Sequence, residues 1–231
     1  MASVPPTERP PDDVDARKSA LRRDLRRARR ERAASRDAAQ RERLAHDLAA
    51  HALAYLDGPY LHRVGAPARC VTLFEALPTE VPTHALLDAL HARGIRILLP
   101  VLLPDLDLEW FALEDPAHRE DPGGIADLRD ADSHAGRLLG REGIAQADVV
   151  FAPAMAIDTE GRRLGQGGGS YDRALMRRRA GVPVVALVDD AEFRTDALPV
   201  DARDQRVDGC LSPQGGYRDF TSTAMTCENG D

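Results

Sequence analysis

The stretch Asp148–Arg173 reads DVVFAPAMAIDTEGRRLGQGGGSYDR and joins the most strand-like segment of the chain to a glycine-rich loop. Residues 148–157 are almost entirely apolar, which is typical of a strand that is buried on both faces of a sheet. Four glycines occupy the five positions 165–169, and a helix is predicted to begin near Ser170. Strand, glycine-rich turn and helix in this order indicate an α/β fold with a ligand site at the turn.

The segments on either side alternate between predicted strands and helices. Strands are predicted at residues 70–74, 95–99, 108–113, 182–188 and 206–211, and a helix at 83–93, capped by Thr83 and ended by Gly94. Two N-terminal helices are predicted at 16–34 and 37–56, the second ended by Asp57-Gly58-Pro59. This order predicts an α/β three-layer sandwich with a mostly parallel central sheet and two N-terminal helices.

The length and composition indicate one globular domain with tails. With 231 residues, 43% of them hydrophobic and 30% charged, the chain is neither fibrous nor wholly disordered. We predict a disordered tail at 1–15, one domain at 16–220 with a polar loop at 114–137, and a flexible tail at 221–231. Because the chain has no apolar run of membrane-spanning length and no signal-peptide core, we predict a cytoplasmic protein without membrane contact. We also predict that it is a monomer.

The basic residues are concentrated near the N-terminus. Residues 17–36 contain ten basic side chains and only two acidic ones, Asp24 and Glu31, although the net charge of the chain is −7. A solvated amphipathic helix is favoured over a nucleic-acid-binding helix, because the overall charge is negative. Lys18 is the one lysine of the chain. Its compact ammonium on a flexible stem is suited to a phosphate group.

The glycine-rich loop has the composition of an anion site. Glycine backbones reach positive φ and let amide groups approach a ligand, and a helix start favours negative charge. Arg163 adds a positive charge beside the loop, and Asp172 supplies the oxygen ligand that magnesium prefers next to a nucleotide phosphate. No Gly-Lys-Ser/Thr follows, so the loop is not a Walker A motif, and its context does not match a dinucleotide fingerprint.

The segment from Phe151 to Arg173 closely resembles the signature of 5-formyltetrahydrofolate cyclo-ligases, also called 5,10-methenyltetrahydrofolate synthetases. Three further elements follow the order of that family. Residues 18–22 resemble its N-terminal K-x-x-x-R, which contacts ATP, and residues 80–83 resemble its E-x-x-T element at the folate site. Residues 198–208 resemble its late L-P-x-x-x-H-D-x-x-x-D element, with Arg203 in the place of the histidine.

The resemblance implies an ATP- and Mg²⁺-dependent ligase. In that reaction ATP phosphorylates the formyl oxygen of 5-formyltetrahydrofolate, N10 attacks the activated carbon, and phosphate leaves as the ring of 5,10-methenyltetrahydrofolate closes. ADP is the other product. Such chemistry needs alignment and charge stabilisation more than a protein nucleophile.

The resemblance also implies roles for individual residues. The ATP site would comprise Lys18, Arg22, Arg163, Leu164, Gly165, Gln166, Gly167, Gly168, Gly169, Ser170 and Tyr171. The folate site would comprise Glu80, Thr83, Trp110 and Tyr171. Asp172 and Asp204 would bind magnesium, and Arg163 and Asp172 would be the catalytic pair.

The chain departs from the family pattern in two places that could bear on the folate. Ser170 replaces the first of two tyrosines, which removes an aromatic wall and supplies a helix N-cap. Residues 124–128 read GIADL and lack the Glu-Pro that family members often carry there. A non-catalytic relative that binds ATP or a folate as a sensor or scaffold is therefore the alternative interpretation.

Overall fold

The structure, a computed structural model, describes residues 11–113 and 136–221. The strands in chain order are β1 Cys70–Thr72, β2 Arg96–Leu102, β3 Leu108–Leu113, β4 Gly136–Leu138, β5 Val149–Pro153, β6 Ala156–Asp158, β7 Arg163–Leu164, β8 Val184–Leu187, β9 Phe193–Arg194, β10 Gly209–Ser212 and β11 Gly216–Asp219. The α-helices are α1 Pro11–Ser35, α2 Ala38–Tyr55, α3 Leu61–Val64, α4 His84–Ala92 and α5 Ser170–Leu175. The loop predicted at 114–137 falls largely outside the described residues.

The large sheet has eight strands in the order β11-β10-β8-β5-β1-β2-β3-β4. Its five inner strands, from β10 to β2, are parallel to one another, and the strands at both edges are antiparallel to their neighbours. The second sheet is small and has the order β7-β6-β9. The predicted α/β class with a mostly parallel central sheet is confirmed.

Alternate residues of the inner strands pack into cores on opposite faces of the large sheet. In β5, Phe151 belongs to the core that α2 and α4 cover. Val150 and Ala152 belong to the opposite core, together with Ile144 of a 3₁₀-helix and Leu175 of α5. Both faces are therefore covered, as a parallel sheet requires, and the three-layer architecture is confirmed.

The predicted strand at 148–157 is two strands in two sheets. After Pro153 the chain leaves the large sheet, and it enters the small sheet at Ala156. Proline has no N–H for the ladder, which favours the end of pairing at this residue. Helix α1 packs against the small sheet through Leu25, which shares a core with Met155 and Leu164. Helix α1 is thus placed beside the glycine-rich loop rather than in an outer layer of the large sheet.

Of two predicted helix boundaries near the N-terminus, the start of the first helix is wrong and the end of the second is confirmed within one residue. Helix α1 begins at Pro11, so residues 11–15 are helical where a disordered tail was predicted. Proline suits a first helical position, where its missing N–H has no partner in any case. Helix α2 ends at Tyr55, within one residue of the predicted end at 56, and the chain then continues through a π-helical turn over 56–60, which accommodates Pro59, into α3. No helix in the described part of the chain has the length and apolar character to cross a membrane.

A buried charge network fixes α1 to the rest of the molecule. Arg29 and Glu192 are only 3% and 1% exposed. The guanidinium of Arg29 donates to both carboxylate oxygens of Glu192, at 2.7 and 3.0 Å. Arg32 also donates to Glu192, and Arg36 pairs with Asp189 at 2.6 Å. Burial raises the pKa of Glu192, and the hydrogen bonds from Arg29 oppose that rise.

The variant Glu192→Gln is expected to lower the free energy of unfolding by about 3–5 kcal/mol, because it leaves a buried guanidinium without its main counter-charge. The control is Asp24→Asn, which removes an exposed partner of Arg27. It is expected to cost about 0.5 kcal/mol or less. Urea denaturation measures both values. Equal losses in the two variants would contradict a supporting role of the buried network.

Candidate functional site

A cleft of about 1030 Å³ opens where the inner strands of the large sheet end. Its walls include Phe74 after β1, Pro100 in β2 and Pro153 at the end of β5. The glycine-rich loop and the loop 201–205 form further walls, and Lys18 and Arg22 of α1 border it. Ligands in open parallel sheets bind at the carboxyl ends of strands, so this cleft is the candidate site.

Arginines of α1 hold the glycine-rich loop by its carbonyl oxygens. Arg22 Nε donates to the carbonyl of Gly165 at 2.9 Å, and Arg26 Nη2 donates to that of Gln166 at 2.8 Å. Gly167 has a φ of +117°, a conformation that L-residues rarely adopt. The loop is therefore shaped by glycine and held at its carbonyl oxygens by α1, an arrangement suited to anion binding through its N–H groups.

The far end of the loop is tied to the hairpin between β2 and β3. Arg173 Nη2 donates to the carbonyls of Leu106 and Gly168, at 2.6 and 3.0 Å. Leu106 has a φ of +64° and is the one non-glycine residue with positive φ in the described ranges. Helix α5 begins at Ser170, but its N-cap residue is Gly169, with a φ of +67°. The prediction that Ser170 caps this helix is wrong.

Lys18 is buried beside two acids of the loop 201–205. It is 4% exposed, and its ammonium donates to Asp201 at 2.7 Å and also to Asp204. Burial lowers the pKa of Lys18, and the two carboxylates more than compensate, so the net pKa lies above its ordinary value. Asp201 was not predicted as a site residue. Its pKa is held far below the ordinary range, first by Arg203 and then by Lys18.

Asp172 links the glycine-rich loop to the same acidic loop. Its Oδ1 accepts hydrogen bonds from Arg163 Nη2 at 2.7 Å and from the N–H of Gln205 at 3.1 Å. Gln205, the residue after Asp204, thus donates to Asp172. The two predicted magnesium ligands therefore lie on chain segments that are in contact, although they are far apart in the sequence. In residues 11–113 and 136–221, no three histidine, cysteine or acidic side chains form a preformed metal cluster.

Glu80 lines the cleft beside α1 and the glycine-rich loop. Its Oε1 accepts from Arg29 Nη1 at 3.0 Å, and its Oε2 accepts from the N–H of Leu77 at 3.1 Å. The amide Nε2 of Gln166, in the glycine-rich loop, lies 3.5 Å from Oε1. Glu80 therefore stands between α1 and the loop. The arginine-rich composition of residues 17–36 did not indicate which arginine would contact it.

Thr83 and Trp110, which the sequence predicted at the folate site, are buried and are not among the residues that line this cleft. The hydroxyl of Thr83 donates to the carbonyl of Phe74 at 2.7 Å and accepts from the N–H of Ala76. Its side chain holds the cleft-lining segment instead of capping α4. Trp110 is fully buried and meets the ring of Tyr171 edge-on, with ring centroids 6.4 Å apart.

Tyr171 borders the cleft with its ring between Trp110 and Arg163. The guanidinium carbon of Arg163 lies 5.9 Å from the centroid of the tyrosine ring, within range of a cation–π contact. Burial raises the pKa of Tyr171, so the phenol is protonated and can donate a hydrogen bond. Its buried hydroxyl has no partner among the described residues. A polar ligand atom would satisfy it.

Comparisons with known proteins show similarity to one family of enzymes. The model of the 5-formyltetrahydrofolate cyclo-ligase family matches residues 14–213. A 5-formyltetrahydrofolate cyclo-ligase from Mycolicibacterium smegmatis is 34% identical over 157 residues, which are 64% of this chain and 75% of that protein. One from Escherichia coli is 28% identical over 149 residues, which are 63% of this chain and 79% of the relative.

Solved structures support the same fold. A 5,10-methenyltetrahydrofolate synthetase from Aquifex aeolicus has a TM-score of 0.65 at 23% identity, over 88% of this chain and 93% of that one. One from Mycoplasma pneumoniae has a TM-score of 0.62 at 18% identity, over 85% and 99% of the two chains. At these identities the likeness concerns the fold alone.

The variant Gly167→Ala is expected to weaken the binding of inorganic tripolyphosphate by about tenfold, because the side chain disfavours the φ that shapes the loop. The control is Gly181→Ala, which also has positive φ but open space around it and no place in the cleft. Both changes are expected to cost about 1–2 kcal/mol of stability. Calorimetric titration and thermal denaturation separate the two effects. Equal affinity of the two variants for tripolyphosphate would show that the glycine-rich loop is not part of the anion site.

Proposed function

The chain belongs to the 5-formyltetrahydrofolate cyclo-ligase family, and on that premise we propose that it converts 5-formyltetrahydrofolate to 5,10-methenyltetrahydrofolate at the expense of ATP. Membership of the family makes it a ligase. One observation carries the proposal. The four elements that resembled the family in sequence, with Lys18, Glu80, Asp172 and Asp204, border a single cleft.

The proposed reaction has two steps. The formyl oxygen of the folate accepts the γ-phosphoryl group of ATP, and ADP is released from that group. N10 then attacks the formyl carbon, the bond from this carbon to the phosphorylated oxygen breaks, and inorganic phosphate leaves with the electron pair. The N10 proton is lost to solvent or base. No protein nucleophile takes part, so the protein acts by alignment and by stabilising charge.

The polar half of the cleft suits the triphosphate. The glycine-rich loop offers backbone N–H groups, and Lys18, Arg22 and Arg163 supply positive charge around it. Lys18 is held by Asp201 and Asp204, and Arg163 by Asp172. Phosphate oxygens replace these carboxylates as partners when nucleotide binds. The cations are therefore in place before the ligand arrives, which lowers the cost of ordering them.

Asp172 and Asp204 have the chemistry of magnesium ligands. Mg²⁺ is commonly held by one or two carboxylates together with substrate phosphates, so a set of two acids beside a phosphate site fits it. The hydrogen bond from Gln205 to Asp172 keeps these two acids close. When bound, the ion neutralises charge on the phosphates. Asp204 now accepts from the ammonium of Lys18, and with Mg²⁺ on Asp204 this ammonium would be available to the nucleotide.

The other half of the cleft suits the folate. The carboxylate of Glu80 accepts the amino and ring N–H groups of the pterin, and the ring and hydroxyl of Tyr171 contact it from the other side. Thr83 and Trp110 act from behind this surface, the first through the segment after β1 and the second through Tyr171. The chain works as a cytoplasmic monomer on small molecules, without nucleic acid or membrane partners.

The test is an absorbance assay for the methenyl product in the near ultraviolet, with 5-formyltetrahydrofolate, Mg²⁺ and ATP. An ATP-dependent rise is expected. The variant Asp172→Asn is expected to lower kcat/KM by about 100-fold or more, because it removes a charge at the phosphoryl group. The matched control Asp57→Asn changes an exposed acid that pairs with Arg93 outside the cleft, and it is expected to keep full activity.

A flat trace from folded protein that binds ATP would overturn the proposed reaction. The sensor or scaffold interpretation would then be favoured, because Ser170 replaces an aromatic residue of the family at the edge of this cleft. Normal activity in Asp172→Asn would overturn the magnesium assignment alone.

A further inference from the structure

Arg29 is held almost rigidly behind the cleft. Four of its five N–H groups are engaged: two with Glu192, one with the carbonyl of Ala154 at 2.5 Å and one with Glu80. Burial lowers the pKa of Arg29, and the carboxylates of Glu192 and Glu80 raise it to a net value above the ordinary one. The guanidinium is thus a fixed positive charge in a fixed plane, and its Nη1 group donates to Glu80.

The carboxylate of Glu80 is restrained by the Nη1 group of Arg29 and by the backbone N–H of Leu77. Its side chain is 9% exposed, so part of it remains open to the cleft. Arg29 Nη1 donates to Oε1, and the N–H of Leu77 donates to Oε2. A carboxylate has about four acceptor sites, and Arg29 and Leu77 fill two of them. The amide of Gln166 lies 3.5 Å from Oε1, so about two sites are open to a ligand that displaces this long contact. Two donors side by side on a heterocycle would fill them.

The plane of a glutamate carboxylate is otherwise poorly defined. The terminal torsion of glutamate is broad and roughly two-fold, so an unrestrained Glu80 would sample many orientations. A ligand that bonds to both oxygens requires one particular orientation of the carboxylate. Fixing that orientation in advance reduces the entropy lost on binding. One donor on each oxygen from a different element defines the plane of the carboxylate.

We propose that Arg29, anchored by Glu192, is a positioning residue that orients the carboxylate of Glu80 toward the paired N–H groups of the folate's pterin ring. This inference rests on the proposed function. Arg29 touches neither substrate nor nucleotide in this scheme. Its effect is confined to the folate side of the cleft, and that restriction distinguishes it from a residue that only stabilises the fold.

The test uses a double variant that removes the buried pair as a unit. Arg29→Met alone would leave Glu192 buried with Arg32 and the N–H of Asp189 as its donors, and the protein could fail to fold. Arg29→Met combined with Glu192→Leu replaces both charges by apolar groups, which is often tolerated. The matched control is Arg93→Met with Asp57→Leu, the same exchange at an exposed pair outside the cleft.

Calorimetry with 5-formyltetrahydrofolate and, separately, with Mg²⁺ and ATP gives the readout. The Arg29/Glu192 double variant is expected to bind the folate about tenfold more weakly and the nucleotide within about twofold of the wild type. The Arg93/Asp57 control is expected to change neither affinity. In a Glu80→Gln background the double exchange is expected to have less than about a twofold further effect, because the group to be oriented is already altered.

The outcomes separate the inference from the proposed function. A wild-type protein that does not bind the folate overturns the proposed function, and the inference with it. If the wild type binds and Glu80→Gln binds weakly, unchanged folate affinity in the Arg29/Glu192 variant overturns the inference alone. So does an equal loss of affinity for both ligands, or a folate effect that persists in full in the Glu80→Gln background.

Discussion

The position of α1 depends on a guanidinium in the protein interior. An arginine as buried as Arg29 is stable only if its charge and donors are matched, and Glu192 meets this requirement through two hydrogen bonds. Because α1 is fixed at Arg29, the two turns before it lie along the glycine-rich loop. Arg22 and Arg26 reach the loop carbonyls from there, and Lys18 reaches the acidic loop. Leu25, in a core with Met155 and Leu164, holds the same helix by apolar contact, so the charged anchor is one of two that place α1 beside this side of the cleft.

A second buried acid joins the two loops that carry the proposed metal ligands. Asp158, at the end of β6, is fully buried and accepts hydrogen bonds from the N–H groups of Glu160, Arg162 and Leu198. The first two lie at the entry to the glycine-rich loop, and Leu198 begins the segment that leads to Asp204. A carboxylate with this many donors stabilises both turns at once. The loops can therefore be rich in glycine and still hold a defined geometry.

The cleft contains paired charges that, in the proposed function, exchange partners when the ligands bind. Lys18 is bound to Asp204, Arg163 to Asp172, and Arg29 to Glu80. Each pair satisfies groups that would be costly to bury alone, and the first two place a cation and a metal ligand side by side. In the proposed function, a phosphate with its metal ion would offer both members of such a pair a new partner of opposite charge. The third pair differs, because Glu192 keeps Arg29 in place while Glu80 remains open to a ligand.

Local sequence determined the strand, glycine loop and helix around 148–173, because apolar runs and glycines act through their immediate neighbours. It also marked Lys18, since a lone lysine among arginines is visible without a structure. Tertiary structure alone decided that Arg29 is the buried arginine of its helix, because its partner Glu192 lies 163 residues away. Tertiary structure also placed Trp110 behind the cleft wall. The sequence of a buried strand does not show which of the two faces an aromatic residue occupies. Burial and long-range pairing are properties of the packed chain, and the sequence specifies them only through the whole fold.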